Sequence, residues 1–70
     1  MLDNLTPTER ETIILMASHG MNVYRVAKAS FCSRKTVYDR LRNIHHKTGI
    51  NPADFWGLKK LVEYLEKENA

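Results

Sequence analysis

The chain has 70 residues, 43% of them apolar, with 11 Lys and Arg against 8 Asp and Glu for a net charge of +3 and a pI of about 9.2. That length is expected to hold one domain, spanning 1–70, with a core too small to enclose a large substrate cleft. The apolar share excludes intrinsic disorder, the lone cysteine excludes a disulfide-stapled mini-protein, and the longest apolar run, Ile13 to Ala17, is far too short for a membrane span or signal-peptide core.

Four helical segments are predicted in chain order. Thr6-Pro7-Thr8-Glu9 reads as a capping box with Pro at the first helical position, and the helix it starts should run to about Ser18 and stop at Gly20. Its inward stripe is expected to be Ile13, Met16 and Ala17, with Ile14 and Leu15 pointing elsewhere. Asn22 caps a short second helix, Val23 to Ser30, with Val26 and Ala27 inward. After a tight connection at Phe31-Cys32, Ser33 caps a third helix, Arg34 to Thr48, closed by Gly49. Its Val37, Leu41 and Ile44 recur at i, i+4 and i+7 as one apolar stripe. Asn51-Pro52 then supplies a cap and first residue for a helix over about 52–67, with Phe55, Leu58, Leu61, Val62 and Leu65 on one face. No segment alternates as a strand does. The fold class is all-α: a tri-helical core plus a C-terminal helix.

The charge is concentrated rather than spread. Residues 21–48 hold seven basic residues against Asp39 alone, a local +6, whereas residues 1–20 carry −2 and residues 49–70 carry −1. Two tightly joined helices over about 22–48, the second rich in polar side chains, form a helix-turn-helix pattern that places the second helix in the DNA major groove. Ala27 must be small where the helices cross, and Val37 and Leu41 must anchor the second helix. The face opposite that stripe holds Lys35, Asp39, Arg42 and His46, flanked by Thr36 and Asn43 on one side and Tyr38 on the other. Lys and Arg can pair with guanine O6 and N7, Asn with adenine, and Asp with the cytosine amino group.

Residues 26–50, VAKASFCSRKTVYDRLRNIHHKTGI, resemble the C-terminal helix-turn-helix of PucR-type regulators through Ala27, Phe31, Arg34, Thr36, Arg40, Leu41, Arg42, Ile44 and Thr48-Gly49-Ile50. The stretch is also similar to the LuxR/GerE type at Ser33-Arg34-Lys35-Thr36-Val37, at Asn43-Ile44-His45-His46-Lys47 and in the opening Leu5-Thr6-Pro7-Thr8-Glu9-Arg10-Glu11. The sequence departs from these patterns at Ser30, where such domains usually have Leu, at Lys35, where the PucR type commonly has Asn, and at Asp39, where it has an aromatic. Seventy residues leave no room for the sensor or receiver domain both families normally append, so the sequence is read either as a free-standing regulator or as a fragment of a larger one.

The resemblance implies double-stranded DNA as partner. Carried over residue by residue, it puts Lys35, Tyr38, Asp39 and Arg42 on base edges. It puts Asn22, Arg25, Ser33, Arg34, Thr36, Arg40, His46 and Lys47 on phosphate oxygens. Asp39 has a second reading, as an ion-pair partner that orients Arg42 or Lys35. His19, Cys32, His45 and His46 lack metal-ligand spacing, so no metal, cofactor or small-molecule ligand is expected, and no nucleophile motif points to an enzyme. Cys32 reads as a small buried hydrophobe.

On the last helix Trp56 and Tyr64 lie off the core face with Ala53 and Lys60 between them. That face is read as a dimer or partner surface, giving a homodimer that sets two reading helices on half-sites one DNA turn apart. The alternative folds Trp56 back beside Leu2, Leu5 and Leu15. Taken together, these readings predict a cytoplasmic, nucleoid-associated transcriptional regulator of bacterial or phage origin. The rival is a helical protein-interaction adaptor acting through the C-terminal helix.

Overall fold

Capping chemistry and apolar spacing set the helix boundaries in the computed structural model, which describes residues 4–68. The helices are α1 (Pro7–Ser18), α2 (Val23–Ala29), α3 (Arg34–Thr48) and α4 (Phe55–Glu68), and no strand occurs among the described residues. The capping box forms as the sequence predicts: the Glu9 amide donates to Thr6 Oγ1 at 3.1 Å, and the Thr6 amide donates to Glu9 Oε1 at 2.9 Å. Asn22 and Ser33 likewise accept from the amides of Arg25 and Thr36.

Helix ends are closed by left-handed residues. After α1 the Met21 amide reaches back to the Met16 carbonyl at 2.7 Å, with Gly20 between them at φ +61°. Gly49 ends α3 at φ +73°. After α2 the same pattern recurs: the Phe31 amide donates to Lys28 O at 3.3 Å and the Cys32 amide to Ala27 O at 3.0 Å. Here, however, the left-handed residue is Phe31, at φ +55°.

Helix α1 packs against all three other helices, and α2 packs on α3. The core joins Leu5, Ile13 and Met16 to Val26 and Ala27, to Val37, Leu41 and Ile44, and to Leu58, Leu61 and Leu65. The i, i+4, i+7 stripe of α3 is therefore wholly interior, which fixes the rotation of that helix and turns its polar side outward.

Four expectations need correction. Ala17 is exposed, while Leu15 is half-buried against the core, because the inward arc of α1 is completed by the buried Thr12 and Glu9. Helix α4 starts at Phe55 rather than Pro52: Asn51 Oδ1 accepts the Ala53 amide and Asn51 O the Asp54 amide, making a turn, and Asp54 then caps α4 by accepting the Gly57 amide at 3.1 Å. Pro52 is buried inside that turn. Phe55 consequently falls outside the core, exposed at the first position of α4, and stacks edge-on to Trp56 with ring centroids 5.1 Å apart. Cys32 is half-buried rather than buried, touching the core on one side and the Arg40 guanidinium at 3.7 Å on the other.

Candidate nucleic-acid interface

The turn between α2 and α3 and the outer side of α3 carry the chemistry the sequence singled out. Four residues separate the helices. At the start of α3, Ser33 Oγ accepts the Thr36 amide and lies 3.0 Å from Thr36 Oγ1. This ties down the first turn, where the helix presents its free amides and positive dipole end. Arg34 and Lys35 are exposed there, and Asn22 and Arg25 are exposed at the start of α2. From residue 12 to residue 38 the chain has no Asp or Glu, so no carboxylate of that stretch offsets these cations.

Further along α3, Tyr38, Arg42, Asn43 and His46 are exposed, and Thr36, Asp39 and Arg40 are half-exposed. Arg42 pairs with Asp39 across 3.4 Å, one helical turn away. This is one of the two ion pairs that the spacing of α3 offers that carboxylate. Arg42 also lines a shallow depression of about 360 Å³ with Tyr38, His45, Asn51 and Ala53. The structure thus brings His45 and Asn51 beside the expected reading residues. His45 lies there by helix periodicity, three residues after Arg42 and seven after Tyr38 on α3, whereas the place of Asn51 depends on the chain reversing after Gly49 and carries no local signal.

Lys47 is placed differently from its basic neighbours. Its ammonium donates to Glu9 Oε1 at 2.7 Å. Glu9 is only 4% exposed, so the pair links the last turn of α3 to the start of α1. Burial pushes the Glu9 carboxyl up, but hydrogen bonds from Lys47 and Thr6 and the Lys47 charge outweigh it and hold the group below its usual value. Lys47 is therefore an exposed residue whose ammonium is engaged by a buried carboxylate.

The expected partner face on α4 is only partly assembled. Trp56 is 69% exposed, with the Lys59 ammonium 5.3 Å from its ring centre, and Lys60 is exposed. Tyr64, however, is half-buried against the core, and Ala53 belongs to the depression beside Arg42. Among the described residues Trp56 does not fold over α1 but stays exposed; Leu2, which that alternative also invoked, lies outside the described residues. Beside Phe55, a groove of about 520 Å³ runs between the end of α1 and α4, floored by Ala17, Met21, Leu58 and Val62 and edged by Lys59, Glu63 and Glu66. Among the described residues no three His, Cys, Asp or Glu side chains converge on a metal site, and no helix is long and apolar enough to cross a membrane.

A protein-family model described as the PucR C-terminal helix-turn-helix domain matches residues 10–63. No curated protein and no solved structure matches the chain.

Proposed function

Because the chain belongs to the PucR C-terminal helix-turn-helix family, we propose that it is a sequence-specific double-stranded DNA-binding protein, a small bacterial or phage transcriptional regulator acting at the nucleoid. One observation carries this reading: the buried stripe Val37, Leu41 and Ile44 locks α3 in the rotation that holds Lys35, Tyr38 and Arg42 out in solvent. In the major groove these side chains read base edges, with Asp39 setting the position of Arg42 through their ion pair. Phosphates are held by Asn22 and Arg25 at the start of α2 and by Ser33, Arg34, Thr36, Arg40 and His46 around α3. The LuxR/GerE likeness at the start of α3 favours the same docking. We assign the chain no catalytic step, cofactor or small-molecule ligand.

A two-fold dimer through Trp56 and Lys60 of α4 would place the two α3 helices on half-sites roughly 34 Å apart, one turn of DNA. Protomer extents of 29 × 21 × 20 Å suit that spacing. The second reading, an adaptor that docks a partner protein on α4, draws on the exposed Phe55 and Trp56 beside the apolar groove.

Fluorescence anisotropy against genomic duplex fragments, at two salt concentrations, decides between them. A steep fall in affinity with salt, and selection of some fragments over random duplex, are expected. Absence of binding to every duplex at low salt would overturn the DNA reading and favour the adaptor.

A further inference from the structure

Phe31 is 97% exposed and has φ +55°. It occupies the left-handed position of the motif that closes α2, with the Cys32 amide bonded to Ala27 O and its own amide to Lys28 O. The chain meets the same requirement with glycine at Gly20 after α1 and at Gly49 after α3. The other non-glycine residue at positive φ among the described residues, Met21 at +64°, packs its side chain against the core. A side chain with a Cβ is disfavoured in this region, and a bulky one more so. The ring gives the folded protein almost no contact in return, so neither local geometry nor core packing accounts for a phenylalanine here.

The surroundings identify what the ring meets. Phe31 stands two residues before Ser33, the cap of α3, in a stretch of chain whose basic residues Lys28, Arg34 and Lys35 are all exposed, with the Lys28 ammonium 5.1 Å from the Tyr24 ring centre. Within the carboxylate-free stretch 12–38, this surface is complementary to a polyanion and not to an acidic-and-basic protein face. We propose that Phe31 is a DNA-contacting residue, its ring lying against a deoxyribose or thymine methyl at the wall of the groove that α3 enters, while Arg34 and Lys28 hold the adjacent phosphates. An apolar ring between cations combines non-polar contact with the thymine methyl or sugar and charge attraction to the backbone. The inference rests on the DNA reading proposed above and adds a contact from the turn, outside the recognition helix.

The two effects of the ring separate in Phe31→Gly. That substitution relieves the left-handed strain and removes the ring, so the thermal midpoint should rise while affinity for the preferred duplex falls about threefold to tenfold. No charge is removed, so the slope of log K against log salt should stay that of the wild type. Phe31→Ala, which keeps a Cβ, should lose the same affinity without the gain in midpoint. Affinity within twofold of wild type in both variants would overturn the assignment of Phe31 and leave the DNA reading standing. A lowered midpoint in Phe31→Gly would also overturn it, by showing that the ring supports the fold. Failure of the wild-type protein itself to bind any duplex would overturn both.

Discussion

Lys47 and Thr6 share one oxygen of Glu9: the ammonium donates to Oε1 at 2.7 Å and the Thr6 amide to the same atom at 2.9 Å. The last turn of α3 is therefore fastened to the cap of α1 through a buried carboxylate, and the orientation of α3 depends in part on a residue 38 positions away in the chain. Glu9→Gln keeps the shape but removes the charge that both donors use. Hydrogen bonds to charged groups contribute about 1.5–3 kcal/mol, and Lys47 is partly solvated, so a loss near the lower end is expected in urea unfolding.

The same carboxylate gives the stability a pH dependence of defined sign. The Glu9 carboxyl in the folded protein lies below its ordinary 4.5, so the unfolded chain binds its proton more readily. The stabilisation is complete above pH 4.5 and is lost as the pH falls through the lower, folded value. Thermal midpoints measured from pH 7 to pH 3 should drop more steeply in the wild type than in Glu9→Gln. Parallel curves would show that the carboxylate does not supply the difference.

Engagement of Lys47 by Glu9 also sets it apart from the neighbouring cations in the proposed DNA binding. Each phosphate contact contributes roughly 0.9 to the slope of log K against log salt. Arg34→Gln should lower that slope by about one, because Arg34 is exposed and faces no carboxylate of its own segment. Lys47→Gln should lower the thermal midpoint and leave the slope nearly unchanged. A slope change in Lys47→Gln equal to that of Arg34→Gln would mean that the Glu9 bond opens on DNA.

The helix ends were legible because their signals are local: Thr6, Asn22 and Ser33 cap within three residues of themselves, and Gly20 and Gly49 close their helices with positive φ. The stripe of α3 was legible because it is periodic. The partnership of Glu9 and Lys47 spans 38 residues and leaves no local mark, so a capping glutamate gave no sign that it was buried. At α4 two turn signals compete. Asn51-Pro52 reads as cap and first helical residue, but the peptide after Pro52 turns back on Asn51 and Asp54 takes the cap, which carries Phe55 out of the core and Ala53 toward Arg42. Phe31 was placed in the connection by its neighbours, but its left-handed backbone and bare ring have no signature in the sequence.

Arg42 and Asp39 are both substantially exposed and separated by 3.4 Å. Exposed pairs of this kind contribute about 0–1 kcal/mol to stability, so Asp39→Ala should leave the unfolding midpoint almost unchanged. Its effect is expected in sequence preference, since Arg42 loses the carboxylate that orients it. Arg42→Ala should cost ~1–3 kcal/mol on the preferred duplex and far less on random DNA. Equal losses on both, read by competition anisotropy, would make Arg42 a phosphate contact.

Gly57 tests the turn that sets the start of α4. Within a helix, Gly→Ala ordinarily stabilises by roughly 1 kcal/mol. Here a Cβ on Gly57 would lie 2.1 Å from the carbonyl oxygen of Asn51 and 3.3 Å from the Ile50 side chain. The Asn51 carbonyl belongs to the backbone and already accepts the Asp54 amide, so it cannot yield without opening the turn that buries Pro52. Gly57→Ala is therefore expected to reverse the usual sign and destabilise by about 1–3 kcal/mol, as overpacking against a fixed neighbour does. Chemical denaturation of the variant beside wild type measures this, and a stabilised variant would show that the segment 51–54 can move away from α4.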